Sequence, residues 1–454
     1  MVSLPGKLLA IIALSVGMGA GSPALAQTTK TVWTLQECID YGIQNNLQIK
    51  QYQLDAEGAR INLNQSRANL LPGLDASSNY GFQFGRNVDP VTDVIVDQQI
   101  RTSNLSVNAY VPLFNGFQLR NSIKQQRFNI EAARLDVENI KNDVILNIVS
   151  AFVQVLLSEE LLQNARLQLQ STQTQADRTQ KLFRAGSVAE SNVLEINAQV
   201  ATDELAIIDA QNQKDLAELS LIQLLDLKQI SDFELVKPEV PDPDQDQIIL
   251  NENNIFEFAQ TNLPEIKSAD LRVQSALKAI DVSRGAYLPQ LSLGVGLGTR
   301  YSYLVDLPIA IDTPPFFEQY RNNLGRGVTF NLSIPVFSQF QTRNNVARSI
   351  INHKLAVLNT EVARNQVRRD IQQAYADALA AQKRFDATKR QLAAFAQAFR
   401  NAEIRFNNGL INPTDYNVAK NNFVKAQSDL VQAKYQYTFK LKVLDFYQGK
   451  PISL

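Results

Sequence analysis

The sequence predicts a mainly helical protein that also carries a membrane β-barrel and consists of two tandem repeats of helix, strand, strand, long helix and helix. Three features predict this fold: an internal duplication, apolar residues at seven-residue spacing, and alternating strand patterns that lead into prolines. The chain has 454 residues, of which 45% are apolar, so each repeat has enough apolar side chains to form a core.

The duplication is clearest in residues 106–123 and 329–346, which align at a constant offset of 223 residues. In each copy apolar residues alternate up to Pro112 or Pro335, and a helical period follows. Because proline has no N–H to donate, we expect each strand to end at its proline. Asn115 and Ser338 are suitable caps for the helices that follow. The copies share Asn108/Asn331, Pro112/Pro335, Phe114/Phe337, Phe117/Phe340, Gln118/Gln341, Arg120/Arg343 and Asn121/Asn344.

Four strands are expected, at about 74–85, 104–111, 291–302 and 327–334. One face of each strand is mainly apolar, whereas Ser, Asn, Gly and Gln occupy the other face. Strands of about ten residues with these two faces fit an outer-membrane barrel that has a wet lumen. A soluble β-sandwich, whose strands also alternate, is the alternative interpretation.

The helices differ in length within each repeat. They are expected at about 35–70, 115–184, 187–228, 252–288, 338–408 and from 412 onward. At ~1.5 Å per residue a long helix extends about 100 Å, which matches two of the shorter helices placed end to end. Ser187 with Glu190 resembles a capping box that opens the first return helix, and Asn412 before Pro413 resembles the start of the last helix.

The N-terminus has the order of a secretory signal, because Lys7 and an apolar run precede Ala24-Leu25-Ala26. Beyond it, no stretch supplies the ~20 consecutive apolar residues of a transmembrane helix, so a membrane form has to use strands. Four strands cannot close a barrel, and open edges are not tolerated in lipid, so strands of other copies are required. We assign residues 1–26 to a signal peptide, 27–247 to the first repeat with an irregular connector at 231–247, and 248–454 to the second repeat.

The composition argues against several functions. Lys plus Arg total 44 and Asp plus Glu total 45, so the chain lacks the excess positive charge of a nucleic-acid-binding protein. His353 lies on a long helix and Cys38 lies inside a helical pattern, where packing roles are expected. No phosphate-binding loop, metal-ligand cluster or activated nucleophile is recognisable, so we expect no enzyme, no cofactor and no metal site.

Taken in order, these features resemble the TolC family of outer-membrane efflux channels over nearly all of the predicted mature chain. The loop at 85–90 is similar to versions of the family from Bacteroidetes-type bacteria. The motifs that carry the resemblance are Leu71-Pro72, Leu288-Pro289, Val111-Pro112-Leu113-Phe114, Ile334-Pro335-Val336-Phe337, Phe183-Arg184-Ala185-Gly186 and Phe406-Asn407-Asn408-Gly409.

The resemblance implies a homotrimer in the outer membrane, with a 12-stranded β-barrel continuous with a periplasmic helical tunnel. It also implies an exit duct of a tripartite efflux or type I secretion system, fed by an inner-membrane pump through a periplasmic adaptor. The adaptor is expected at the hairpin tips, and prolines are expected to act as hinges between strands and helices. These residues are Ala185, Gly186 and Ser187 at the first tip, Asn408, Gly409 and Leu410 at the second, and Pro72, Pro112, Pro289 and Pro335 at the hinges.

The resemblance also suggests a channel gate. The family pattern places an acid six residues after the hairpin glycine, which is Asp415 in the second repeat and Asn192 in the first. Glu195 is a possible substitute acid in the first repeat. The chain departs from the pattern at Val418 and Ile411, where a second acid and an arginine are expected.

A structural or adhesive coiled-coil protein of the cell envelope is the alternative to a transport channel. The polar face of the strands favours the channel, because a structural stalk has no need of a wet barrel interior. The nature of the cargo stays open among drugs, metals and proteins, since the pump does the selecting.

Overall fold

The computed structural model describes residues 32–88, 93–97, 99–227, 233–238, 252–305 and 314–450. The predicted signal peptide and most of the predicted connector lie outside these ranges. In chain order the elements are β1 (Val32–Trp33), α1 (Leu35–Asn45), α2 (Leu47–Ala68), β2 (Gly73–Gln83), β3 (Arg86–Val88), β4 (Ile95–Asp97), β5 (Ile100–Asn115), α3 (Gln118–Arg184), α4 (Glu190–Leu224), β6 (Glu234–Leu235), α5 (Glu252–Asn262), α6 (Pro264–Gly285), β7 (Gln290–Leu304), α7 (Phe316–Asn322), β8 (Gly325–Ser333), α8 (Gln341–Asn407) and α9 (Pro413–Tyr447).

The two repeats have matching helices, which confirms the predicted two-repeat order. The long helices α3 and α8 both have 67 residues, and the return helices α4 and α9 both have 35. In each repeat a pair of helices, of 11 and 22 residues, precedes the first strand of the sheet, which is β2 or β7. Helix α3 packs against α2, α4, α6 and α9, and α8 packs against α6 and α9.

Each of these pairs was predicted as one helix, and this expectation was wrong. In the first repeat the break is at Asn46, whose side chain accepts hydrogen bonds from the N–H groups of Gln48 and Ile49 and so starts a new helix. In the second repeat the break falls at Leu263, since Pro264 cannot donate to the preceding turn but suits a first helical position.

A four-stranded antiparallel sheet has the order β2-β5-β7-β8. Strand β8 ends at Ser333, before Pro335, but β5 continues through Pro112 to Asn115. The expectation that Pro112 ends its strand was therefore wrong. The register with β7 shifts between Pro112 and Phe114, and such a bulge accommodates a residue that cannot donate to the ladder.

Short elements occupy segments that were predicted to be irregular. Strands β3 and β4 pair in the loop after β2, and α7 lies in the loop before β8. Within the predicted connector, β6 pairs in parallel with β1.

The largest apolar core lies around the middle of α3. Ile148, Phe152 and Val155 are fully buried there and pack with Cys38 of α1 and Leu221 of α4. By length and composition α3 also passes as a membrane span, but half of its apolar window is buried inside the chain. Its apolar character is accounted for by this core.

The strand-to-helix turns contain left-handed residues. Phe117 and Phe340 occupy the N-cap positions with φ of 62° in each case. Asn115 and Ser338 are not the cap residues themselves, yet their side chains accept long hydrogen bonds from the N–H groups of Leu119 and Thr342, at 3.4 Å each.

Two glycines allow a close approach between the backbones of the two repeats. Gly116, with φ of +62°, lies against Gly285 at the end of α6. A Cβ atom on Gly116 would be 2.1 Å from the Gly285 carbonyl oxygen, and one on Gly285 would be 2.4 Å from the Gly116 oxygen. Neither position can accept a side chain without separating the backbones.

Candidate channel and tunnel mouth

The sheet has one apolar and one polar face. On the apolar face, one row across the sheet consists of Leu74, Ala109, Val295 and Val328. Leu74 and Val328 are 76% and 65% exposed, so this face is not covered within the chain. An exposed apolar face of this extent fits contact with lipid.

The polar face has hydrogen bonds between side chains of neighbouring strands. The Ser77 and Ser106 hydroxyls lie 2.8 Å apart, and the Asn79 side chain accepts a bond from the N–H of Asn104. Three glycines of β7, Gly294, Gly296 and Gly298, keep this face open. The arrangement fits the wall of a water-filled lumen.

The two edge strands, β2 and β8, each pair on one side only among the described residues. Their outer backbone N–H and C=O groups therefore need partners that this sheet does not supply. In lipid such groups have to be paired, which requires closure with other strands.

The hairpin tips are built alike. In the first hairpin (α3 and α4), the N–H of Ser187 donates to the Leu182 carbonyl and that of Gly186 to the Phe183 carbonyl. In the second hairpin (α8 and α9), Leu410 and Gly409 make the equivalent bonds to Arg405 and Phe406. These are Schellman closures, and the positive φ values of Gly186 (69°) and Gly409 (73°) make them possible.

The return helices begin differently. The Asn412 side chain accepts a 2.7 Å hydrogen bond from the Asp415 N–H and Pro413 is the first helical residue, which confirms the predicted start of α9. The predicted capping box of Ser187 and Glu190 was wrong. The N-cap of α4 is Ala189, which has no side-chain cap, because Ser187 already closes the end of α3.

The predicted gate residues do not form one cluster within the chain. Asp415 and Glu195 are exposed on their return helices, whereas Asn192 is half-buried. Asn192 lines a cavity of about 350 Å³ between the two tips, together with Ser187 and Gly409. Near this cavity the Arg178 guanidinium donates to the Asn407 side chain and so connects the first hairpin to the second.

A buried polar bridge joins the hairpins above the tips and was not predicted. Lys420 of α9 donates a 2.8 Å hydrogen bond to the Thr172 hydroxyl of α3, which donates to Asp203 of α4. These three side chains are 3%, 0% and 6% exposed. Burial lowers the pKa of Lys420, and the Asp203 carboxylate opposes this shift. The signal in the sequence was the spacing of Lys420 four residues after Tyr416, because residues four apart lie on the same side of a helix. Tyr416 is buried, and the core side of a helix normally excludes charge.

A second cavity, of about 500 Å³, lies among α3, α6 and α8. Asp136 accepts bonds from Ser268 and Arg272 at 2.6 Å each. Burial raises the pKa of Asp143 and of Glu265, and Asp143 adds to the rise at Glu265. Within the described ranges, no group of three or more His, Cys, Asp or Glu residues could hold a metal ion.

Known proteins share this sequence pattern and fold. "Toxin and drug export protein A" of Aggregatibacter actinomycetemcomitans is 22% identical over 405 residues, covering 88% of this chain and 83% of that protein. "Outer membrane protein TolC" of Escherichia coli K12 is 22% identical over 409 residues, covering 87% and 77%. A crystal structure of CusC superposes with a TM-score of 0.77 at 17% identity, covering 92% of both chains.

The family model described as "Outer membrane efflux protein" matches residues 39–226 and 257–450. These segments lie within the two predicted repeats and include both hairpins and all four strands of the sheet. The members are outer-membrane channels of efflux and secretion systems with a helical tunnel in the periplasm, and this protein is such a channel. The chain therefore belongs to the outer membrane efflux protein family.

Proposed function

We propose that three copies of this chain form the exit duct of a tripartite efflux or type I secretion system. The observation that carries this proposal is the four-stranded sheet, which has an exposed apolar face, a polar face and two unpaired edges. Three such sheets supply 12 strands, a number between filled 8-stranded barrels and open 16-stranded porins. The helices at one end of the sheet then extend the duct by about 100 Å into the periplasm.

Mass and conductance test this proposal together. Detergent-extracted protein should have the mass of three mature chains, and it should form ion-conducting pores in planar bilayers. A folded monomer would exclude the trimeric barrel. An assembled trimer without conductance would instead favour the structural or adhesive coiled-coil function.

A periplasmic adaptor binds at the tips in this proposal. Gly186 and Gly409 lie at the far end of the hairpins from the sheet, and Leu410 is 67% exposed beside the second glycine. An exposed leucine at a rigid turn suits the apolar centre of a protein interface. The adaptor passes substrate from an inner-membrane pump, and neither partner's identity nor the cargo is specified by these residues.

Leu410→Glu tests the docking surface. We expect export that depends on the adaptor to be lost while the trimer stays assembled, because a charge replaces an apolar contact. Val236→Glu is the matched control, since it makes the same kind of change at an exposed residue far from the tips (42% exposed). Full export by Leu410→Glu would remove this leucine from the docking surface.

Asp415 is the proposed gate residue. A trimer has three copies of its exposed carboxylate at one level, and converging carboxylates attract cations and bind multivalent ones. The cap bond at Asp415 uses its backbone N–H, so the side chain can be removed without losing that bond. Asn192 at the equivalent level of the first repeat carries no charge.

Asp415→Ala should lower cation selectivity and abolish block by multivalent cations added from the periplasmic side. Glu195→Ala tests whether Glu195 substitutes as the gate acid. The matched control is Glu204→Ala, which removes an exposed acid further along α4. Unchanged selectivity and block in an assembled Asp415→Ala trimer would leave Asp415 a helix-start residue only.

A further inference from the structure

The end of the sheet opposite the tunnel contains an element that the channel function does not explain. Strand β7 continues to Leu304, but its pairing with β8 stops at Gly298. Among the described residues, no strand pairs with that edge of β7 above Gly298. Helix α7 covers it instead.

Three hydrogen bonds hold α7 on this free edge. The Gln319 side chain accepts from the N–H of Ser302 at 3.1 Å. The Asn323 side chain, at the end of α7, donates to the Arg300 carbonyl at 2.9 Å. The Thr299 hydroxyl donates to the carbonyl of Tyr320 at 2.7 Å. Because Gln319 is only 4% exposed, α7 is packed firmly against the sheet at this level.

The side chains that α7 touches identify the face of the sheet on which it lies. The Tyr320 and Ser103 hydroxyls are 2.6 Å apart, and the Phe316 ring lies 4.7 Å from that of Tyr301. Ser103 and Tyr301 are register partners and share a face with Leu105 and Val295. Helix α7 is therefore on the apolar face and outside the lumen.

Aromatic side chains continue from the sheet onto α7. Tyr80, Ser103 and Tyr301 form one row across β2, β5 and β7, and Phe82, Arg101 and Tyr303 form the next. Tyr80 and Phe82 are 53% and 52% exposed on the apolar face. Phe317 of α7 is 84% exposed, which is the highest exposure among these rings. Such bands of aromatic rings mark the boundary between lipid and water.

We propose that α7 is an interfacial anchor that binds the outer leaflet of the lipid bilayer, with Phe317 inserted at the level of the acyl chains. The proposal rests on the proposed membrane barrel. Lipid is the occupant because the exposed surface of α7 is continuous with the apolar face that lipid covers below it. Glu318, the next residue, is exposed and charged, so its side of the helix stays in water.

Tryptophan fluorescence in vesicles tests this anchor. The chain has a single tryptophan, Trp33, which is buried far from the sheet, so Trp33→Phe provides a silent background. Phe317→Trp and the matched control Glu318→Trp are made in it and reconstituted in phospholipid vesicles with brominated acyl chains. The bromines should quench Trp at position 317 at least about twofold more than at 318, since only ring 317 is at acyl depth.

A second measurement on the unmodified chain covers the case in which a variant does not assemble. A phospholipid with a photoreactive acyl chain should label α7, and mass spectrometry should place the adduct at Phe317. Adduct-free α7 in a labelled barrel would overturn the anchor. So would quenching of Trp at position 317 by aqueous iodide and not by bromines. In both cases normal trimer mass and conductance would leave the channel proposal intact.

Discussion

The long helices α3 and α8 have the same length and the same place in their repeats, but they differ in burial. Helix α3 has buried residues along most of its course, from Ile130 to Thr179. The first half of α8 instead shows an exposed apolar row at helical spacing. This row consists of Ile351, Leu355, Leu358 and Val362, which are 51–62% exposed.

The difference reflects the number of neighbours within the chain. The first half of α3 lies between α2 and α6, whereas the first half of α8 has α6 on one side only. Helix α2 is the opposite edge of the layer, and it carries its own exposed row of Leu47, Leu54 and Ile61. A second copy that places its α2 against α8 would cover both rows. Helix α3 thus completes its packing inside the chain, whereas α8 and α2 each leave an apolar row for a neighbouring copy to cover.

The largest expected effect comes from disrupting the contact between the exposed row of α8 and a neighbouring copy. Leu358→Asp should abolish trimer formation, because a carboxylate would be buried without a partner. Native mass measurement in detergent gives the trimer fraction. Asn352→Asp, an exposed polar position on another face of the same helix, should assemble normally. A trimeric Leu358→Asp protein would place the interface elsewhere.

The next prediction compares equivalent aromatic residues of the two helices. Phe152 of α3 is fully buried, and its counterpart in α8, Tyr375, is only partly buried. Phe152→Ala should lower the free energy of unfolding by about 3–5 kcal/mol, since a large cavity forms. Tyr375→Ala should cost clearly less. Thermal unfolding followed by circular dichroism measures both, and equal losses would contradict the difference in packing.

The buried bridge between the hairpins should depend on pH. Folding lowers the pKa of Lys420 from 10.5, mainly through burial. Between the lowered value and 10.5 the unfolded chain holds more protons at this residue, so the free energy of unfolding rises with pH. Lys420→Met should remove that rise, as followed by denaturant unfolding across this range. Lys425→Met, whose lysine side chain is 74% exposed, should retain it. A rise that persists in Lys420→Met would come from other groups.

The smallest effect concerns the starts of the return helices. Asn412 caps α9, and Ala189 is the equivalent residue of α4 without a side-chain cap. Asn412→Ala should destabilise the second hairpin by about 1 kcal/mol, and Ala189→Asn should stabilise the first by a similar amount. Unfolding midpoints of the assembled protein test the pair, and two changes of the same sign would exclude capping as the cause.

Much of the fold could be predicted from local patterns. The alternation of apolar and polar residues predicted the faces of the strands, and the heptads predicted the length of α3 and α8. Gly186 and Gly409 predicted the turns. These signals are local because a period or a left-handed residue acts within a few residues of itself. The bulge at Pro112 was missed because it depends on how β5 pairs with β7, which local sequence does not contain.

The candidate site was less accessible to sequence reasoning. The position of α7 depends on the point where β8 stops pairing, and the bridge of Lys420, Thr172 and Asp203 joins residues from three helices. No spacing rule connects such distant residues. The roles of Asp415, Glu195 and the tips stay predictions, since they concern surfaces that meet other chains.

The contact between Gly116 and Gly285 affects how the duct can deform at its neck, the level at which the strands join the helices. The counterpart of Gly116 is Gln339 in the second repeat, and the counterpart of Gly285 is Ala68 in the first repeat. These two residues lie at opposite edges of the chain. In a trimer they would meet across the boundary between copies. The neck would then contain six such contacts around its circumference. Three would be backbone contacts between glycines within a copy, and three would be contacts between side chains of neighbouring copies. Any change in diameter would be taken up at the three side-chain contacts, so the neck would widen with threefold symmetry and not with sixfold symmetry.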